Sequence, residues 1–189
     1  MSFTISGANF KIGASLQEYV TDKLSSIVEK YKCKIGNGHV VFRKDGSRLY
    51  CVEIDLSDGK KHGIIIKSNG KASDIYVAFD ISFSALENQL RKHKGRLRDL
   101  MDDRAIEFKE ATKHVIEVQA TEEDVYPEKD AVITAEKPVI LQKLSIEDAI
   151  AKMDLANLPA LPFINISTGK INFVYYRKDG DISWIECHE

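Results

Sequence analysis

The chain has 189 residues, 43% of them hydrophobic and 30% charged, a composition that supports a folded core and excludes wholesale disorder. Its net charge of −2 argues against a protein that is basic all over. The average conceals a division: residues 1–104 carry 18 Lys and Arg against 13 Asp and Glu, residues 105–137 carry 4 against 9, and residues 138–189 carry 5 against 7. A basic unit thus precedes an acidic segment and a mildly acidic second unit, so a polyanion partner is expected for the first unit only.

Phe3 and Ile5, ahead of Gly7, predict a short opening strand. Ser15-Leu16-Gln17-Glu18 has the form of a capping box, and Leu16, Tyr19, Val20, Leu24, Ile27, Val28 and Tyr31 then repeat at helical spacing. Three strands follow: Val40 to Arg43, the alternating run Tyr50, Val52, Ile54 and Leu56, and Ile64 to Lys67. Asp45-Gly46 and Asp58-Gly59 mark the turns between them, because glycine accepts positive φ cheaply. From Asp74 to Arg104 there is no proline and only one glycine, Gly95, which predicts one long helix.

On that helix Ile75, Phe79, Phe83, Leu86, Leu90 and Leu97 make a narrow apolar stripe. Arg91, Lys94 and Arg98 flank it on one side, Lys92 and Arg96 on the other. A packed helix exposing cations on both flanks can follow phosphates, and Lys23 and Lys30 on the first helix add to the set. Basic runs are also common on plain solvated surface, so the charge balance of the whole unit adds weight. The order βαβββα has the double-stranded-RNA-binding topology with an added N-terminal strand, by analogy a reader of shape and backbone.

The segment from Thr121 to Asp130 is acidic, poor in core-forming residues and interrupted by Pro127, which predicts a flexible linker over 105–137. In 138–189, Val139 to Leu141 reads as a strand, and Ser145-Ile146-Glu147-Asp148 as a cap for a helix with Ile146, Ala149, Ile150 and Met153 on one face. Phe163 to Ile166, Ile171 to Arg177 and the run holding Ile182, Trp184 and Ile185 read as strands, with turns at Thr168-Gly169 and Asp179-Gly180. Phe173 and Tyr175 fall on one strand face, Val174 and Tyr176 on the other, and a single helix covers only one. Self-association is the simplest cover for the second face of so small a unit; packing back on the first unit is the alternative, which a long acidic linker disfavours. The expected dimer contacts are Phe163, Phe173, Val174, Tyr175, Tyr176 and Trp184.

No catalytic or phosphate-loop motif occurs, and the five histidines lack ligand spacing, so neither an enzyme, a metal site nor a cofactor is expected. Cys33, Cys51 and Cys187 form no CxxC pair, which disfavours a disulfide framework or a cysteine zinc site. Apolar runs such as Ile75 to Phe79 stop far short of the ~20 residues a membrane helix needs, and the N-terminus lacks a signal-peptide core. A soluble cytoplasmic protein with no membrane partner is expected.

Several motifs together resemble one family. They are Ile5-Ser6-Gly7-Ala8-Asn9, Tyr19-Val20 with Lys23-Leu24, and Asp74-Ile75-Tyr76-Val77-Ala78-Phe79-Asp80 continuing through Leu86-Glu87-Asn88-Gln89-Leu90-Arg91-Lys92-His93-Lys94. In the second unit they are Ser145-Ile146-Glu147-Asp148-Ala149-Ile150 with Met153, and Thr168-Gly169-Lys170-Ile171-Asn172-Phe173-Val174-Tyr175-Tyr176-Arg177-Lys178-Asp179-Gly180. The chain resembles the long-form ribosome hibernation promoting factors, also called ribosome-associated inhibitor or sigma-54 modulation proteins. The resemblance implies an α+β protein whose N-terminal βαβββα domain binds the small ribosomal subunit near the decoding centre, over the mRNA and tRNA sites. It also implies a small α+β C-terminal domain that dimerises and pairs inactive ribosomes in stationary phase or stress. Lys23, Lys30, Arg91, Lys92, Lys94, Arg96 and Arg98 then become candidate rRNA contacts. The older family label leaves a dimeric transcription-associated regulator as the alternative. Where the family has a phenylalanine-rich strand, this chain has Leu161-Pro162-Phe163-Ile164-Asn165, and the proline predicts an edge strand.

Overall fold

A computed structural model describes residues 2–32, 34–46, 48–60, 63–101, 107–117 and 132–187. Strand β1 (Ser2–Gly7), helix α1 (Ala14–Tyr31), strands β2 (Asn37–Asp45), β3 (Leu49–Ser57) and β4 (Ile65–Ala72), and helix α2 (Ile75–Lys92) follow the βαβββα order expected. The four strands form one sheet in the order β1-β2-β3-β4, with β1 parallel to β2 and the other pairs antiparallel. A parallel β1–β2 pair needs a crossover, and α1 supplies it.

Strand alternation puts Val40, Phe42, Val52, Ile54, Leu56 and Ile66 on one face, where Val20, Leu24 and Ile27 of α1 and Phe79, Leu86 and Leu90 of α2 cover them. Phe79 stacks on Phe42 with ring centroids 6.4 Å apart. Gly70 brings α2 close to β4: a Cβ there would lie 2.2 Å from the Ala78 carbonyl oxygen and 2.5 Å from the Ser82 nitrogen. The other sheet face carries ion pairs, Arg43 with Glu53, Lys67 with Asp55 and Lys71 with Asp45.

Two local expectations change. The capping box at Ser15 is not used; α1 begins at Ala14 with Gly13 as N-cap and no side-chain cap, because the chain turns helical before Ser15. The single long helix is two, α2 and α3 (Lys94–Leu100), divided at His93, whose φ of −104° and ψ of 15° leave the helical range. Gly95 weakens helix propensity just beyond the break, while Leu97 still donates to the His93 carbonyl at 2.8 Å and carries the hydrogen bonding across. At the start of α2 the Asp74 carboxylate caps the helix, accepting from Tyr76 and Val77.

The segment read as a linker is structured at both ends. Strands β5 (Phe108–Glu117) and β6 (Val132–Leu144) pair antiparallel, drawing on the β-branched residues Thr112, Val115, Ile116, Ile133 and Thr134. The acidic centre, 118–131, lies outside the described residues. With β7 (Ala160–Asn165), β8 (Ile171–Tyr176) and β9 (Ile182–Glu186) these strands form a second sheet in chain order. Helix α4 (Ile146–Leu155) lies on it, capped as expected by the Ser145 hydroxyl accepting from the Asp148 amide at 3.1 Å. Its Ala149 and Met153 meet Phe163 and Val174 in a small core.

β7 is not an edge strand: it lies between β6 and β8. The proline is tolerated for a local reason. Tyr176 donates to the Pro159 carbonyl, so by antiparallel alternation Pro162 turns its nitrogen away from β8, and β6 pairs only with Ile164 and Asn165.

The two units also touch, contrary to the expectation that the acidic segment keeps them apart. Leu155, at the end of α4, is fully buried within the core of the first unit. Ala151, one turn earlier, is buried as well. These two residues make a second apolar stripe on α4, opposite the one facing its own sheet.

Candidate nucleic-acid interface

α1 and α2 lie side by side on the first sheet, so the cations on them share one surface. Their apolar spacing fixes this: Leu24 and Ile27 point to the sheet, leaving Lys23 and Lys30 outward. The Lys23 ammonium stands over the Tyr19 and Phe83 rings, 5.3 and 5.5 Å from their centroids, and 3.8 Å from Asp80. Asp80 in turn accepts from the Tyr19 hydroxyl at 2.8 Å. Lys30 meets Glu87 at 2.5 Å, and that hydrogen bond raises its pKa. These cations are interleaved with carboxylates, which a polyanion must compete against or repel.

The end of α2 and the start of α3 carry the rest. Arg91 is exposed and donates to the neutral Asn88 at 2.9 Å. Lys94 is exposed at the break between the helices. Arg98 lies on α3, and its side chain is outside the described residues. Lys92 and Arg96 reach instead to the second unit: the Lys92 Nζ is 2.6 Å from Asp154 Oδ2, and the Arg96 guanidinium 3.1 Å from Asp148 Oδ1. The structure therefore groups the seven sequence-derived cations into the α1–α2 pair Lys23 and Lys30, the pair Arg91 and Lys94 with no ion pair among the described residues, the engaged Lys92 and Arg96, and Arg98.

Asp154 is the residue that reading from sequence missed. It also contacts His93 Nε2 at 2.6 Å and accepts from the Tyr176 hydroxyl at 2.8 Å. Burial pushes its carboxyl up, but the hydrogen bonds from Lys92, His93 and Tyr176 outweigh that and hold it below the ordinary carboxylate value. Burial, with help from Asp154, lifts the Tyr176 phenol to about 12. Near the same seam Lys152 is desolvated and falls to about 8. The available signal was the second apolar stripe, Ala151 and Leu155, which a helix covered on one face alone does not need.

The second unit divides the six expected dimer contacts. Phe163 and Val174 are wholly buried beneath α4, so their side chains belong to the core. Trp184, opposite Val174 in register, donates its indole N–H to the buried Asn172 at 2.7 Å. Tyr176 is held by Asp154. Phe173 and Tyr175 point the other way, exposed together with Ile171 and Ile185 on the uncovered face of the sheet.

Comparison with known proteins places the chain. A family model described as Sigma 54 modulation protein / S30EA ribosomal protein matches residues 3–98, and one described as its C terminus matches 128–183. The chain belongs to this family. A Ribosome hibernation promotion factor of Bradyrhizobium diazoefficiens is 29% identical over 194 residues, covering 98% of this chain and 94% of that protein. One of Bacillus subtilis is 25% identical over 194 residues and covers all of both. Among solved structures, a ribosomal subunit interface protein from Coxiella burnetii is 26% identical with a TM-score of 0.43, covering 50% of this chain and 99% of that one. The family match spans both units in the order read from the sequence. Among the described residues no helix is long and apolar enough to cross a membrane.

Proposed function

We propose that this protein is a non-enzymatic ribosome hibernation factor of the cytoplasm. Its first unit binds the small ribosomal subunit near the decoding centre and covers the mRNA and tRNA sites. Its second unit dimerises and pairs two silenced ribosomes. The observation that carries the reading is the match of both units, over nearly the whole chain, to proteins named Ribosome hibernation promotion factor. The chemistry of the first unit supports it: exposed Arg91 and Lys94, with Lys23 and Lys30 on the adjoining helix, suit phosphate contact. The β-sheet face with Phe173, Tyr175, Ile171 and Ile185 supports self-association, since a unit this small gains from covering such a surface.

The test is sedimentation of the purified chain with isolated small subunits, isolated large subunits and immobilised sigma-54. Co-sedimentation with small subunits, with matching loss of cell-free translation, is expected. Retention on sigma-54 without binding to either subunit would overturn the reading in favour of a transcription-associated regulator.

A further inference from the structure

The seam between the units falls on part of the basic surface described above. Asp154 Oδ2 lies 2.6 Å from both Lys92 Nζ and His93 Nε2, its other oxygen accepts from Tyr176, and Asp148 takes Arg96. A carboxylate oxygen placed among the Lys92 and Arg96 cations and the His93 ring nitrogen stands where a phosphate oxygen would otherwise sit. We propose that the seam is a built-in mask: in the free chain the acidic side of α4 occupies Lys92, His93 and Arg96, and a phosphate-rich surface must displace it to engage the flank of α2 and α3. The inference rests on the rRNA-binding reading for its ligand and adds a closed form to it.

The seam has the character of a contact made to open. Its cations lie at a rim where salt screens them, since the Lys92 and Arg96 side chains are 62% and 47% exposed, whereas the carboxylates beneath them are half-buried. Its apolar part is narrow, with Leu155 inserted into the first core and Ala151 buried one turn away. Among the described residues two buried side-chain oxygens lack a hydrogen-bond partner, Gln89 Oε1 and Asp58 Oδ2. Both belong to the seam: Gln89 donates its amide to the Asp154 carbonyl at 3.4 Å, and Asp58 acts electrostatically on Lys152. Opening returns these groups to water, which offsets part of what separation loses. Masking lowers apparent affinity by the fraction of chains that are open, so weakening the seam raises affinity without adding any contact to the ligand.

The experiment compares three whole chains: the natural one, Asp148→Asn with Asp154→Asn at the seam, and Asp179→Asn with Asp181→Asn as a control. The control changes net charge equally and likewise frees a cation, Arg177, whose ion pair lies within the β8–β9 turn and has no part in the contacts of Asp148 and Asp154. Binding to purified small ribosomal subunits and the salt needed to elute each chain from heparin are measured. The seam variant is expected to bind subunits at least about threefold tighter than the natural chain, with the control unchanged. Leu155→Ser, which opens the seam with no charge change, is expected to tighten binding in the same direction. Equal tightening by the seam variant and the control would reduce the effect to net charge and overturn the mask. Subunit binding by the natural chain with no tightening in either seam variant would overturn the mask and leave the ribosome reading standing. If no chain binds subunits but the seam variants alone elute later from heparin, the mask stands and the ribosome reading fails.

Discussion

Replacing Arg91, Lys92 and Lys94 together with alanine removes three exposed cations and leaves the core intact. All three lie off the stripe of Leu86, Leu90 and Leu97 that α2 and α3 bury. Each phosphate contact made by a free cation contributes ~0.7–0.9 to the slope of log K against log salt. Arg91 and Lys94 contribute in full. Lys92 leaves Asp154 as well as solvent, so its share is smaller in the closed chain. The variant should therefore lose between ~1.4 and ~2.7 of slope, so that across a fourfold rise in salt the natural chain loses about 7- to 40-fold more affinity than the variant does. Filter binding to small subunits between roughly 50 and 200 mM KCl reads this directly, with circular dichroism confirming that the helices persist. Parallel salt lines for the two chains would refute an rRNA role for this stretch.

Three further outcomes follow from the packing. Gly70→Ala should lower stability by ~2 kcal/mol or more, because the added methyl meets backbone atoms of α2 that can move only as a helix; an unchanged thermal midpoint would contradict that close approach. Phe173→Glu should turn the chain monomeric in sedimentation while leaving it folded, whereas Val174→Glu, one residue along, should unfold the second unit, because it buries a charge with no partner. Lys152 falls to about 8 in the folded chain, below its ordinary value, so between pH 8 and 10 the unfolded chain holds a proton that the folded chain has released. Stability should rise with pH across that window, by up to ~3 kcal/mol if it extended to the unfolded value, and Lys152→Met should flatten the rise. Above pH 10 Tyr176, whose folded value is about 12, works in the opposite direction; a midpoint that falls between pH 8 and 10 would show that Lys152 is not desolvated.

The first unit was legible because its signals are local. Alternation in Tyr50, Val52, Ile54 and Leu56, glycine turns after Asp45 and Asp58, and helical stripes on both helices all favour the same fold. The break at His93 was not legible: nothing in the local spacing marks it, and the Asp154 carboxylate that contacts the histidine there is about sixty residues away in sequence. Pro162 misled for a related reason: a proline tells that one nitrogen lacks a ladder partner, while the neighbour opposite is set by how far β6 extends. The acidic composition of 105–137 obscured two strands, because charged residues on an exposed hairpin cost little and the β-branched residues between them still pair. For the site, residue types were readable and partners were not. Phe163 and Val174 belong to the core, and Lys92 and Arg96 are engaged across a seam that neither unit reveals alone.

Sucrose-gradient sedimentation of whole ribosomes with the chain tests the central claim most directly. The natural chain should travel with the ribosomes and convert a share of single particles into paired ones. Phe173→Glu should still travel with them but leave them single. Ribosome profiles unchanged by the natural chain, with the protein left at the top of the gradient, would contradict the account.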